Sequence, residues 1–513
     1  RNKCFVTLFL ALIAICPSYA QDTHLRDTLQ ASIKTDHSRR NELRIDRHES
    51  IASYIRAVVS PLGEGDPIRW VQSLPGVSSG ADGTTSFYVR GGNMGNNLLT
   101  LDGIPVYGYS HLLGLTTVIP SEMVKSASIS KGGFEGGMGN FTASHLAIVT
   151  KDVTERRART SFALNNFMAG ASLETPIGKR MSLQLSGRIS PLTLEYKAIH
   201  KMLPDALDMK GFRAGVGDTY LKYVWNVGGG RTLKAFGLYS KDLYSFHLSD
   251  DSDESMGWQN IIGALTYSSG HTEWTNFEAQ LSINSYSSSQ RQVKDYRGTA
   301  NDLSLVSEMN EAVASARWAS VIGRGKRLSL GYGLKGRYAT FRPGQLATVR
   351  NESRTMLASA HIQACYEIPE KLSVKAGVMG NWFMKFDHVP TNQPKPKTFS
   401  RIDPDINLSV HFQATKNLAI EATFDRIRQY YHTLEGLPTG WSLDMIVPSG
   451  AKVTPEPATQ GSIGFSYGAS SHHASIGGFY RHMEQLVYYK YGQTLFNGGL
   501  AVWEDDVNQG KGD

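Results

Sequence analysis

Residues 86–152 read SFYVRGGNMGNNLLTLDGIPVYGYSHLLGLTTVIPSEMVKSASISKGGFEGGMGNFTASHLAIVTKD, and this stretch decides the fold. Short runs rich in β-branched and aromatic residues alternate with glycine clusters, the pattern of a small sheet joined by tight turns. Gly91-Gly92 end the run SFYVR. Asp102-Gly103, between NLLTL and IPVY, is a hairpin-type turn signal. Gly132-Gly133 and Gly136-Gly137 bracket another sharp turn. The runs at 127–130 and 146–150 are expected to pair.

Upstream, Ile51, Tyr54, Ile55 and Val58 have helical spacing. Asp66-Pro67 opens a second short helix, an acid cap followed by proline at the first position. Ile68, Val71 and Leu74 form its apolar face, and Pro75-Gly76 ends it. Residues 21–47 are polar, without period, and read as a mobile arm. Residues 1–20 read as a secretory signal: Arg1 and Lys3, the apolar core FVTLFLALIAIC, then Ser18-Tyr19-Ala20 before Gln21. Bulky Ile15 argues against lipidation at Cys16.

Downstream of residue 156, segments alternate apolar and polar positions. Leu328, Leu330, Tyr332 and Leu334 face one way; Ser329, Gly331, Gly333 and Lys335 face the other. Leu372, Val374, Ala376, Val378 and Trp382 repeat the pattern, as do Leu418, Ile420, Ala422 and Phe424 against Ala419, Glu421, Thr423 and Asp425. Phe277, Ala279, Leu281 and Ile283 do so too. A soluble sandwich has the same period. Short turns such as 323–326 and 369–371 alternating with expected long loops near 243–257, 288–305, 385–400 and 427–455 favour a membrane barrel.

Composition agrees. The 513 residues are 41% hydrophobic and 19% charged, with Gly 51, Tyr 23, Phe 20 and Trp 8. No interior segment approaches the roughly 20 apolar residues of a spanning helix. The net charge of +7 is small for this length, and no basic run interleaved with aromatics points to nucleic acid. Cys365 stands alone outside the signal, in a strand-like run, and reads as a small structural residue.

The pieces VRGG (89–92), LDGIPVYGYSHL (101–112) and KGGF (131–134) resemble the plug domain of TonB-dependent outer-membrane transporters. The run GEGDPIRWVQSLPGV (63–77) resembles the entry of such plugs in transporters of Bacteroidota type. The resemblance implies a mainly β fold: a small α+β plug domain (48–152) followed by an incomplete transmembrane antiparallel β-barrel (156–513), with roughly 14–15 of about 22 strands. The chain starts at Arg1 rather than Met and ends at Asp513 rather than on an aromatic residue, so it is expected to be a piece cut at its C-terminus. The arm, residues 21–47, would carry the segment that pairs with TonB by strand addition, placed around Asp22-Thr23.

The same resemblance gives Arg90 an ionic contact between plug and barrel, with a lumen-facing glutamate as partner; the alternative is an ordinary surface arginine. It turns Tyr107, Tyr109 and His111 toward the extracellular vestibule, where they could touch substrate or pack plug against barrel. Gly91, Gly92, Asp102, Gly103, Gly132 and Gly133 are structural turns. Phe141 stands where the family's second arginine is expected and Met138 where a tyrosine is, which puts the usual multi-residue ionic lock in doubt.

The implied function is TonB-dependent import of a scarce nutrient, such as an iron chelate, cobalamin or an oligomer, across the outer membrane of a Gram-negative bacterium. The partners are TonB with its inner-membrane energising complex, outer-membrane lipid and lipopolysaccharide, and a small ligand; no nucleic acid, cofactor or metal is expected. The alternative is a passive porin or surface interaction protein. Ser128-Ile129-Ser130-Lys131 matches SxxK by letters, but it sits in an apparent strand without an SDN partner triplet, so no catalytic residue is assigned.

Overall fold

The computed structural model describes residues 46–513 apart from 59–62, 154–156, 166, 203–209, 250–251, 273–274, 297–298, 324–326, 347–351, 389–397, 435–442, 470–471 and 491–502. The signal and most of the arm lie outside the described residues.

The plug begins with the strand Arg47–Ile51 and the helix Ala52–Ala57. The second helix, Pro67–Gln72, starts as its sequence dictates: the Asp66 carboxylate accepts from the Ile68 amide at 2.8 Å, and Pro67 occupies the first turn. Ile55, Ile68 and Val71 are buried against a five-stranded sheet. Its order is Arg47–Ile51, Val124–Ser130, Ser144–Thr150, Asn97–Leu101, Ile104–Pro105. Asp102 (φ 49°) and Gly103 (φ 84°) both take positive φ, the requirement of a type I′ hairpin turn. The Asp102 carboxylate accepts from the Thr150 amide at 2.9 Å and from the Thr150 hydroxyl, which fixes the hairpin to the neighbouring strand.

Sixteen antiparallel strands, from Arg159–Leu164 to Val507–Gly512, form one sheet in chain order. This exceeds the expected 14 or 15. Among the described residues the two outermost strands pair on one side only. The expected alternation is present: Leu281, Ile283, Tyr332, Leu334, Trp382 and Phe424 are exposed on the outer face, while Asn284, Arg337, Asn381, Glu421, Thr423 and Asp425 are buried inside. A face of apolar residues around a polar interior filled by another domain is the arrangement of a plugged membrane barrel. The plug's core is continuous with the wall, since Tyr220, Phe236, Leu238 and Ile262 pack into the same cluster as Ile55 and Val71.

Of the expected long loops, 243–257 and 288–305 are corrected, 427–455 is a long connection between wall strands, and most of 385–400 lies outside the described residues. Residues 243–249 and 252–257 pair in register, for example Tyr244 with Met256, and the strand Thr275–Tyr296 pairs with Thr299–Ile322 to their tips. The latter strand has 24 residues, against the roughly 9–11 that cross a membrane. Beyond the bilayer both faces meet water, so the period-2 signal fades while the backbone ladder continues. The segment 427–455 instead holds an inward-folded hairpin, Tyr431–Leu434 paired with Met445–Pro448, which is nearly all buried.

Candidate functional site

The plug meets the wall at many places, among them the Lys222 ion pairs with Asp102 and Asp152, and three carry the residues that the sequence singled out. At the first, Arg90 ends the strand Phe87–Val89 in a left-handed conformation (φ 51°), and Gly91 follows at φ 76°. Its guanidinium pairs with the Asp46 carboxylate, donates to the Lys131 carbonyl at 3.2 Å, and lies 4.8 Å from the Phe479 ring centroid of the wall. The expected glutamate partner is thus corrected to an aspartate of the plug chain itself, and the arm's last two expected residues, Asp46 and Arg47, belong to the plug. The wall reaches Arg90 through Asp46: Thr423 donates to that carboxylate at 2.8 Å, Ser462 donates to it as well, and Glu421 accepts from the Asp46 amide at 3.1 Å. Burial alone would raise the Asp46 carboxyl; Arg90 and the two hydroxyls outweigh it and hold it below the usual value of 3.8.

The KGGF turn now has a physical reason. The Asp425 carboxylate accepts from two successive amides, Gly133 at 2.7 Å and Phe134 at 3.1 Å. Successive N–H groups make an anion-binding nest, and Gly133 (φ 61°) supplies the left-handed residue it needs. Gly132 lies against Asp46 and Thr423. A Cβ on Gly92 would stand 2.6 Å from that of Ala143, so only glycine admits this approach. Arg481 of the wall closes the corner by donating to the Val89 and Ala143 carbonyls, each at 2.9 Å. The SxxK letters carry no catalytic geometry here: Ser128 lies within a paired strand, and the buried Lys131 ammonium donates to the Pro75 carbonyl at 2.8 Å.

At the second place, where Phe141 and Met138 depart from the family pattern, the contact is made by apolar packing and hydrogen bonds. Phe141 packs edge-on against Phe134 at 4.8 Å, in a cluster with Ile427, Ala458 and Met483 of the wall. Asn140, left-handed at φ 70°, accepts with its side chain from the Tyr430 and Tyr431 amides at 2.8 and 2.9 Å. Its own amide donates to the Arg428 carbonyl at 3.1 Å. Asn96 and Thr142 donate to Glu456 at 2.7 and 2.9 Å. Backbone capping does here what a second arginine was expected to do.

At the third place, His111 is fully buried between two wall carboxylates, Asp242 and, at 3.2 Å, Asp218. This corrects its expected role: with no exposed surface it meets no ligand and instead ties plug to barrel. Burial alone would lower the imidazole; the two carboxylates overcome that and raise it to about 9. Asp242 also accepts from the Leu112 amide at 3.0 Å and the Tyr244 hydroxyl at 2.7 Å. Arg188 bridges Asp218 at 2.7 Å, Glu64 at 3.0 Å and the Thr117 carbonyl at 2.8 Å. Tyr107 and Tyr109 are half-buried and line a cavity of about 60 Å³ with Asn140, Tyr286, Tyr431 and Asp444, beneath the inward hairpin.

Alternation had already placed Glu421, Thr423 and Asp425 on the polar face. Asp46 carried no signal, because it ends a polar segment without period.

The fold and this interface define a β-barrel whose lumen is filled by an N-terminal plug. Residues 49–144 match the family model described as TonB-dependent Receptor Plug Domain. No curated protein matches the chain. Among solved structures, the FrpB iron transporter from Neisseria meningitidis aligns with a TM-score of 0.60 at 12% identity, over 86% of this chain and 73% of that one. The siderophore receptor PirA from Acinetobacter baumannii gives 0.61 at 13%, over 91% and 75%. The copper transporter OprC gives 0.65 at 10%, over 91% and 76%. The chain therefore carries a TonB-dependent receptor plug, set in a barrel wall with the fold of such receptors.

Proposed function

We propose that the protein is an energised importer in a bacterial outer membrane, taking up a scarce nutrient such as an iron chelate, cobalamin or an oligomer when TonB pulls on its N-terminal arm. The observation that carries this reading is the filled lumen: the plug is held by buried ion pairs and by wall groups bonded to its backbone, such as Asp425 on Gly133 and Arg481 on Val89. A passive porin has no use for such a stopper, and a stopper this firmly bonded needs work from outside to move. The structural neighbours named as iron and copper transporters and a siderophore receptor support the same class. Tyr107 and Tyr109 stand at the plug apex beneath the inward hairpin, and the cavity of about 60 Å³ that they line is too small for such a nutrient, so ligand reaches these rings only after the hairpin moves. His111 positions that apex from below. The role is transport, not catalysis.

Uptake screening with metal chelates, cobalamin and oligosaccharides, in cells carrying the full-length protein, tests this reading. Deleting residues 21–45 or removing TonB is expected to abolish uptake of the ligand found. Uptake that persists unchanged in both strains would sink the mechanism in favour of a passive pore.

A further inference from the structure

We infer that Asp46 is the residue through which tension on the arm is delivered to the plug–barrel contact: drawing it out removes the only carboxylate that pairs with Arg90 among the described residues and breaks the wall's bonds from Thr423, Ser462 and Glu421, leaving Asp425 and Arg481 to hold the corner. The inference rests on the transport reading above and assigns its force-bearing residue.

Three observations converge on Asp46. It immediately precedes the strand Arg47–Ile51, which lies at the edge of the plug sheet and pairs only with Val124–Ser130. A pull from the N-terminal side therefore loads Asp46 before any rung of that ladder. Asp46 is also a hub: besides Arg90 and the wall groups Thr423, Ser462 and Glu421, its carbonyl accepts from the Lys131 amide at 2.8 Å. One residue thus bonds the RGG turn, the KGGF turn and two wall strands. Finally, both partners of the ion pair are buried, with side-chain exposures of 6% for Arg90 and 2% for Asp46. The buried ammonium of Lys131 and guanidinium of Arg481 stand in the same corner. Withdrawing Asp46 leaves these cations facing one another around Glu421 and Asp425, and a buried charge that loses its partner is strongly destabilising. The corner is therefore firmly closed while Asp46 is seated and is weakened once it leaves, with Asp425 and Arg481 still bonded to the plug backbone.

The test is single-molecule pulling on the full-length protein in an outer-membrane lipid bilayer, with Cys365 replaced by serine and a handle on the arm. Asp46→Asn keeps the side-chain shape and removes the charge; it is expected to speed plug release under a fixed arm load by roughly 100-fold. Arg90→Gln should give a similar acceleration, and the double variant should add little to either. Moving the handle to the exposed plug position Lys125→Cys should make release insensitive to Asp46→Asn, which a merely structural role of Asp46 does not predict. Equal acceleration from both handles, or none from the arm, would overturn the inference. The readout needs neither ligand nor TonB. Uptake that ignores the arm, with Asp46→Asn still accelerating arm-loaded release, would defeat the transport reading alone; arm-dependent uptake with no effect of Asp46→Asn would defeat this one alone.

Discussion

The Asp46–Arg90 corner and the His111 clamp hold the same plug against opposite stretches of the wall, and they are built the other way round. At His111 the plug supplies the cation, and the wall supplies both carboxylates from the strands Lys210–Gly228 and Arg231–Ser249. At Arg90 the plug supplies both partners of the ion pair, and the wall adds hydroxyls, an aromatic face and the Glu421 and Arg481 side chains, which bond plug backbone, from strands between Leu418 and Tyr489. Only the second is continuous with the arm. A pull on the arm thus acts on one attachment while the other stays seated, so the first behaves as a latch and the second as a hinge.

The largest expected effect comes from breaking the hinge. Asp242→Ala leaves buried His111 with one carboxylate and should weaken plug docking by about 3–5 kcal/mol. Hydrogen exchange should show it first at residues 110–118, with 126–134 following only when the whole plug leaves. Leu334→Arg sharpens the comparison from outside. Leu334 lies six residues into its strand, near the middle of the apolar band, and the change should destabilise the wall by about 2–4 kcal/mol in bilayer unfolding. It should leave both attachments intact in every molecule that remains inserted.

The two attachments should also part company with pH. The imidazole of His111 is raised from 6.5 to about 9, so its contribution is complete below pH 6.5 and is lost as pH rises through 9. At about 1.4 kcal/mol per unit this reaches at most roughly 3 kcal/mol. Asp46 is shifted down, so its contribution is complete above 3.8 and is lost only as pH falls below that value. Alkaline titration followed by hydrogen exchange should open the hinge side first, and acid the latch side. The reverse order would break the comparison. The smallest effect is Asn140→Ala, which leaves two wall amides without their acceptor and should cost about 1–2 kcal/mol in the same exchange assay.

Much of the fold was legible. The Asp66 cap, the Asp102-Gly103 turn and the wall alternation each have a local cause that sequence displays. The paired extensions above the bilayer were not legible, because water on both faces erases the period while leaving the ladder. The site was legible in halves. Arg90 stood out, and the row Glu421, Thr423, Asp425 lay on the correct face, but the link between them runs through Asp46, more than 300 residues from that row, and has no local trace. His111 was visible as chemistry, but sequence left open whether it faces the vestibule or packs plug against barrel, since an exposed and a buried imidazole are the same letter. Asn140 was hidden for a different reason: its left-handed backbone and its two amide partners exist only once the strand ending at Gln429 is beside it.

The length of the wall strands has one more consequence. The 24 residues of Thr299–Ile322, tilted as barrel strands are, stand about 60 Å tall, of which only about 25 Å is the lipid-facing band. The remainder of this strand is a hydrogen-bonded extension of the wall above the band. Whatever enters between such strands loses much of its lateral freedom, so movement toward the plug becomes mostly motion along one axis.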